Sequence, residues 1–182
     1  MIEMRFHGRG GQGAVTSAEL VARAAIERGQ YATAFPSFGP ERRGAPVVAF
    51  ARVDERPIRL RSKIYQPDVV IVLDPSLLEI ANPAEGIRED GILIINSSHE
   101  AASIRKQLSY KGRLALVDAG RIAREVLGLP ITNTTMVGAL LKGTELMEVE
   151  ALEGPFKQRF GKIAARNIEA MKRAYVETTM TD

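Results

Sequence analysis

Three short runs, DVVIVLD (Asp68 to Asp74), GILIIN (Gly91 to Asn96) and RLALVD (Arg113 to Asp118), constrain the fold of this 182-residue chain more than any other feature. Each is continuously apolar instead of alternating, the pattern of a strand buried on both faces of a parallel sheet. Parallel neighbours need long crossovers, and helical patterns fill the intervals at Ser76 to Ala81, Glu100 to Leu108 and Ala119 to Leu127. The expected fold is α/β and three-layered, with a mostly parallel, Rossmann-like sheet covered on both sides. Because each run ends in Asp or Asn, Asp74, Asn96 and Asp118 gather at the C-terminal edge of the sheet, where open α/β folds bind ligands.

Upstream, Ile2 to His7 alternates apolar and polar residues as a half-buried strand does, and four glycines follow within six residues. Gly8, Gly10 and Gly13 spell the dinucleotide fingerprint G-x-G-x-x-G in its required place, after a strand and before a helix that reads from Gln12 to Arg28. Gln30 to Phe35 reads as a second strand, and Pro36 to Pro46, with three prolines and two glycines, as an irregular loop. Val47 to Val53 and Ile58 to Ile64, joined by Asp54-Glu55-Arg56-Pro57, predict an antiparallel hairpin that sets Arg59, Arg61 and Lys63 on one face. Asn133 is placed to cap a helix running to Gly143. A long C-terminal helix begins at Pro155, and only the last few residues are expected to be disordered. No linker or repeat divides the chain, so residues 1–182 are expected to form a single α/β domain.

Composition excludes several chemistries. With no cysteine the chain cannot ligate an iron–sulfur cluster through thiolates, form a disulfide or use a thiol nucleophile, and with two histidines a histidine-rich metal site is not expected. No apolar run approaches the ~20 residues of a membrane span, and no signal-peptide layout opens the chain, so a cytoplasmic protein is expected. The net charge is only +3, yet residues 41–63 hold seven basic groups against three acids. The positive charge is local.

A glycine-rich turn feeding a helix presents backbone N–H groups and the positive helix end to a phosphate, although the same glycines also allow close packing. The acid that holds the ribose in NAD enzymes, ~20 residues on at the end of the second strand, is missing from Tyr31-Ala-Thr-Ala-Phe35-Pro36. In the loop that follows, Arg42 and Arg43 are a pair suited to bidentate binding of phosphate or carboxylate. Arg59, Arg61 and Lys63 read as a solvated face that can extend the same anion-binding or docking surface. His7, with no Asp, Ser or Cys partner in the motif, reads as structural instead of a general base. Neither a Walker A lysine, nor G-x-S-x-G, nor a Gly-Asp-Gly start to a thiamine diphosphate and magnesium motif is present.

Four segments in order, HGRGGQG, AFPSFGPERRGAPVVAFARV, IRLRSKIYQPDVVIVLDPSLL and NTTMVGALLK, resemble the gamma subunit of 2-oxoacid:ferredoxin oxidoreductases such as the pyruvate and 2-ketoisovalerate enzymes. The resemblance implies a complex in which partner subunits of alpha, beta and delta type carry thiamine diphosphate, Mg and iron–sulfur clusters, pass electrons to ferredoxin and deliver the acyl group to coenzyme A. It implies for this chain a structural and coenzyme A-related role, with Gly8, Gly10, Gly11, Gln12 and Gly13, assisted by Arg42 and Arg43, as binding residues and no catalytic residue or metal. A stand-alone NAD- or flavin-binding reductase is the alternative reading. A nucleic-acid binder rests on the local charge alone and lacks an aromatic platform beside it; neither nucleic acid nor membrane is an expected partner.

Overall fold

The computed structural model describes residues 1–37 and 44–181. Its seven strands are β1 (Ile2–Arg9), β2 (Tyr31–Pro36), β3 (Pro46–Asp54), β4 (Val69–Val72), β5 (Ile92–Asn96), β6 (Arg113–Val117) and β7 (Thr179–Thr181), and they form one sheet in the order β2-β3-β1-β4-β5-β6-β7. Strands β1, β4, β5 and β6 run parallel, while β3, β2 and β7 add antiparallel flanks. The helices are α1 (Ala14–Glu27), α2 (Ala101–Leu108), α3 (Ala119–Leu127), α4 (Asn133–Thr144), α5 (Glu153–Phe160) and α6 (Ala164–Glu177).

The apolar runs do what their lack of alternation requires. In β4 to β6, Val69, Ile71, Ile92, Ile94, Ala115 and Val117 point into one core beneath α1, α3, α4, α5 and α6. Val70, Val72, Leu93, Ile95, Leu114 and Leu116 point into a second, smaller core closed by α2 and a short 3-10 helix over Pro75–Glu79. The two helices α4 and α6 cross so closely that a Cβ at Gly138 would overlap the Met171 carbonyl.

Several expectations need correcting. The antiparallel partners of β3 are β2 and β1, so both its edges are occupied and Ile58 to Ile64 has no edge to join; that segment forms no strand. The segment lies instead over the sheet, held where the Arg52 Nη2 donates to the Ser62 carbonyl at 2.9 Å. The C-terminal helical stretch is interrupted at Gly161, whose φ of 52° no continuing helix adopts, leaving α5 and α6 joined by a 3-10 turn. The residues expected to be disordered include β7, which pairs with β6. Thr132, not Asn133, occupies the N-cap of α4.

Candidate functional site

The glycine turn leaves the C-terminal end of β1 at the edge where β4 and β5 also end. Local chemistry fixes its path. Arg9 N–H donates to Gln12 Oε1 (2.7 Å), Gln12 N–H donates to the Arg9 carbonyl (2.9 Å), and Gln12 Nε2 donates to Asp74 Oδ2 (2.6 Å). The Arg9 guanidinium reaches Asp74 at 3.3 Å and Ser76 Oγ at 2.8 Å. Asp74 also accepts from Ser76 N–H and so caps the 3-10 helix after β4. Burial pushes the Asp74 carboxyl upward, but hydrogen bonds from Ser76 and Gln12 and the Arg9 charge outweigh it and hold the group below the usual range.

Gly11 and Gly13 have φ of 92° and 82°, the left-handed region that costs an L side chain about 1–2 kcal/mol. A Cβ at Gly11 would meet open space, whereas one at Gly13 would stand 2.9 Å from Asn133 Cγ. Gly13 is the N-cap of α1 and offers no side-chain cap, so the helix begins with its N–H groups uncovered by a side chain. Gly8 contributes close packing: a Cβ there would lie 3.2 Å from Leu73 and 3.3 Å from Ala14, so its absence lets strand and helix approach.

Gly10 joins the turn to the next loop, donating to the Ala45 carbonyl (2.8 Å) and accepting from Gly44 N–H (3.3 Å). Arg42 and Arg43 lie outside the described residues. Arg61 and Lys63 are exposed and line a groove of about 580 Å³ with Thr33, Phe35, Ser37 and Leu60; Arg59 is exposed but does not line it. No residue of the glycine turn lines that groove. Burial and the Arg5 charge hold His7 down at about 3, so it is neutral and its Nε2 has no partner.

Of the strand-terminal acids and amide, Asp118 caps α3 through Arg121 N–H (2.8 Å), and Asn96 bridges the Leu73 carbonyl (2.9 Å) and Gly120 N–H (3.3 Å). The sequence reading missed the Arg9-Gln12-Asp74-Ser76 knot, for which Asp at a strand end followed by Pro-Ser was the available signal, and gave Asn133 a capping role alone, whereas it is buried with its Oδ1 unpartnered beside Gly13. Among the described residues no cluster of His, Asp and Glu could hold a metal, and no helix is long and apolar enough to cross a membrane.

A glycine turn fixed by side-chain hydrogen bonds at the C-terminal edge of a mixed sheet is the architecture of an α/β protein of the open-sheet class, whose ligands bind at that edge. Residues 3–177 match the model for pyruvate ferredoxin/flavodoxin oxidoreductase, and the chain belongs to that family. It is 53% identical to the pyruvate/ketoisovalerate oxidoreductases common subunit gamma of Pyrococcus abyssi, over 98% of this chain and 97% of that one. It is 46% identical to pyruvate synthase subunit PorC of Methanothermobacter thermautotrophicus, over 97% and 96% of the two chains. The crystal structure of pyruvate oxidoreductase subunit PORC from Thermotoga maritima superposes with a TM-score of 0.90 at 36% identity, covering 100% of this chain and 98% of that one. The resemblance to the gamma subunit is borne out, as is the α/β class.

Proposed function

We propose that this chain is the cytoplasmic gamma subunit of a pyruvate:ferredoxin oxidoreductase complex and that its glycine turn holds a phosphate of coenzyme A. The relatives' names support the subunit, and all name pyruvate as a 2-oxoacid, the Pyrococcus abyssi relative naming ketoisovalerate beside it. Thiamine diphosphate and the iron–sulfur clusters belong to partner subunits, since this chain has no cysteine for a cluster and no Gly-Asp-Gly for a diphosphate-bound magnesium. In the overall reaction the 2-oxoacid is decarboxylated, two electrons pass to ferredoxin, and the acyl group moves to the thiol of coenzyme A.

One observation carries the coenzyme A assignment: the left-handed turn Gly11 to Gly13 opens onto the start of α1, while Gly44, the residue after Arg43, is hydrogen-bonded to Gly10. A phosphate there meets backbone N–H groups and the positive end of a 14-residue helix. Asp74 beside the turn does not repel it, because Arg9 already balances that carboxylate. The ordering cost is low, for the Gln12 and Arg9 bonds fix the turn in advance.

Calorimetric titration of coenzyme A and of NAD into the assembled complex, comparing wild type with Gly11→Ala and Gly13→Ala, tests this reading. Either substitution is expected to weaken coenzyme A binding about tenfold, from the strain of a left-handed alanine. Tighter binding of NAD, or coenzyme A affinity indifferent to both changes, overturns the assignment.

A further inference from the structure

The groove beside β2 has a composition that the coenzyme A site does not explain. Among the described residues β2 is the outermost strand of the sheet, so one of its edges pairs with β3 and the other faces no described strand. The groove beside β2 is lined by Thr33 to Ser37 of that strand and its end and by Leu60, Arg61 and Lys63 of the segment that follows β3. Leu60 is 49% exposed although apolar. Arg56, Arg59, Arg61 and Lys63 form no ion pair with any described residue. The Thr33 hydroxyl is buried without a hydrogen-bond partner. Behind the wall, Arg52, 1% exposed, sits over the Phe35 ring at 5.7 Å with its Nη1 likewise unpartnered.

We infer that this groove receives an extended, Asp- and Glu-bearing segment of a partner subunit, which adds to β2 as an eighth strand. The inference rests on the reading of the chain as a subunit of a larger complex. A free strand edge supplies the backbone groups that strand addition needs, and natural proteins seldom leave such an edge flat and unguarded. The lysine and arginines beside it select an acidic occupant, and Leu60 with Phe35 supplies a seat for one apolar side chain. A second copy of this chain does not fit. Pairing β2 with its own counterpart would bring together two basic strips that no described acid pairs with, and the opposite edge strand, β7, reads Thr-Met-Thr with no acid. Among the described lining residues a nucleic-acid strand finds one aromatic ring, Phe35, and no platform for successive bases.

The experiment compares the isolated chain with the coexpressed, purified complex by amide hydrogen exchange, and repeats assembly with the charge reversal R61E/K63E. Exchange at residues 32–37 is expected to slow in the complex. The reversal is expected to weaken retention of the subunit by about tenfold or more, increasingly so at low salt, with its thermal midpoint as an isolated chain unchanged. Coenzyme A affinity of complexes that do assemble is expected to match wild type. Unchanged exchange at residues 32–37 in an intact wild-type complex overturns the inference, as does unimpaired assembly of the reversal. Loss of coenzyme A affinity with assembly intact overturns it too, by making the strip a ligand site. Failure of the wild-type chain to form any complex overturns the subunit reading on which the inference stands.

Discussion

Strands β4 and β5 carry no charged side chain on either face, whereas β1 and β3 place Glu3, Arg5, His7 and Arg52 on the face opposite α1. The first pair is sandwiched between helical layers. The second is covered on its polar face by two loops, and the charges fasten them. Arg52 donates to the Ser62 carbonyl, Arg5 Nη2 to the carbonyls of Pro83 (2.8 Å) and Glu85 (2.6 Å), and Arg88 Nε to that of Gln66 (3.0 Å). Glu3 pairs with Arg52 at 2.7 Å and with Arg88 at 3.2 Å, and Asp68 pairs with Arg88 at 3.2 Å. A loop has free carbonyls but no apolar stripe, so guanidinium donors suit it where leucines suit a helix. Half the sheet is therefore held by area and half by partners.

Measurements that break each half differ in kind. The largest effect is expected from Leu93→Ala in β5: this side chain is fully buried in the smaller core, and its loss should cost about 3–4 kcal/mol in a urea melt, insensitive to salt. Glu3→Ala should cost about 3 kcal/mol by stranding the buried Arg52, and here the contrast sharpens. In the double variant Glu3→Met/Arg52→Leu more than half of that loss should return, because removing both charges removes the desolvation penalty. No second substitution is expected to rescue Leu93→Ala in this way.

A smaller effect comes from pH. Because the folded His7 titrates at about 3 against an ordinary value of 6.5, the folded state binds fewer protons than the unfolded one in that window. Stability is thus full above about 6.5 and falls by about 1.4 kcal/mol for each pH unit below it, roughly 2 kcal/mol by pH 5. His7→Gln should flatten that slope in denaturant melts between pH 7 and 4. Asp74, whose carboxyl is held below 3.8, adds its own loss only at lower pH, as it protonates through its folded value, so the two groups separate.

The same contrast governed what the sequence disclosed. Burial on both faces forces unbroken apolar runs, and β4, β5 and β6 stood out on that ground alone. Partners leave no such trace. Ile58 to Ile64 alternates as a strand would, yet the edge it needed belongs to β1, a fact set by pairing across the whole sheet. β7 is only three residues of Thr and Met, too short for a pattern. At the site the glycine fingerprint was plain, but the knot that orients it joins Arg9 and Gln12 to residues more than sixty positions away. Capping roles for Asp74 and Asp118 also depended on where the next helix begins.

The position of β1 in the interior of the sheet bears on how the chain emerges from the ribosome. Residues 1–54 contain β1, α1, β2 and β3, enough to assemble the charged flank while the rest is still being made. Until Val69–Val72 follow, the other edge of β1 is an unpaired strand, the kind of surface through which nascent chains associate with one another. Glu3, Arg5 and His7 then stand along a strand that has neither its neighbour nor its covering loops. Charged and polar side chains along an unpaired strand disfavour wrong pairing. Arg5 and Glu3, which hold the covering loops in the finished fold, thus stand on that strand before the loops have been made.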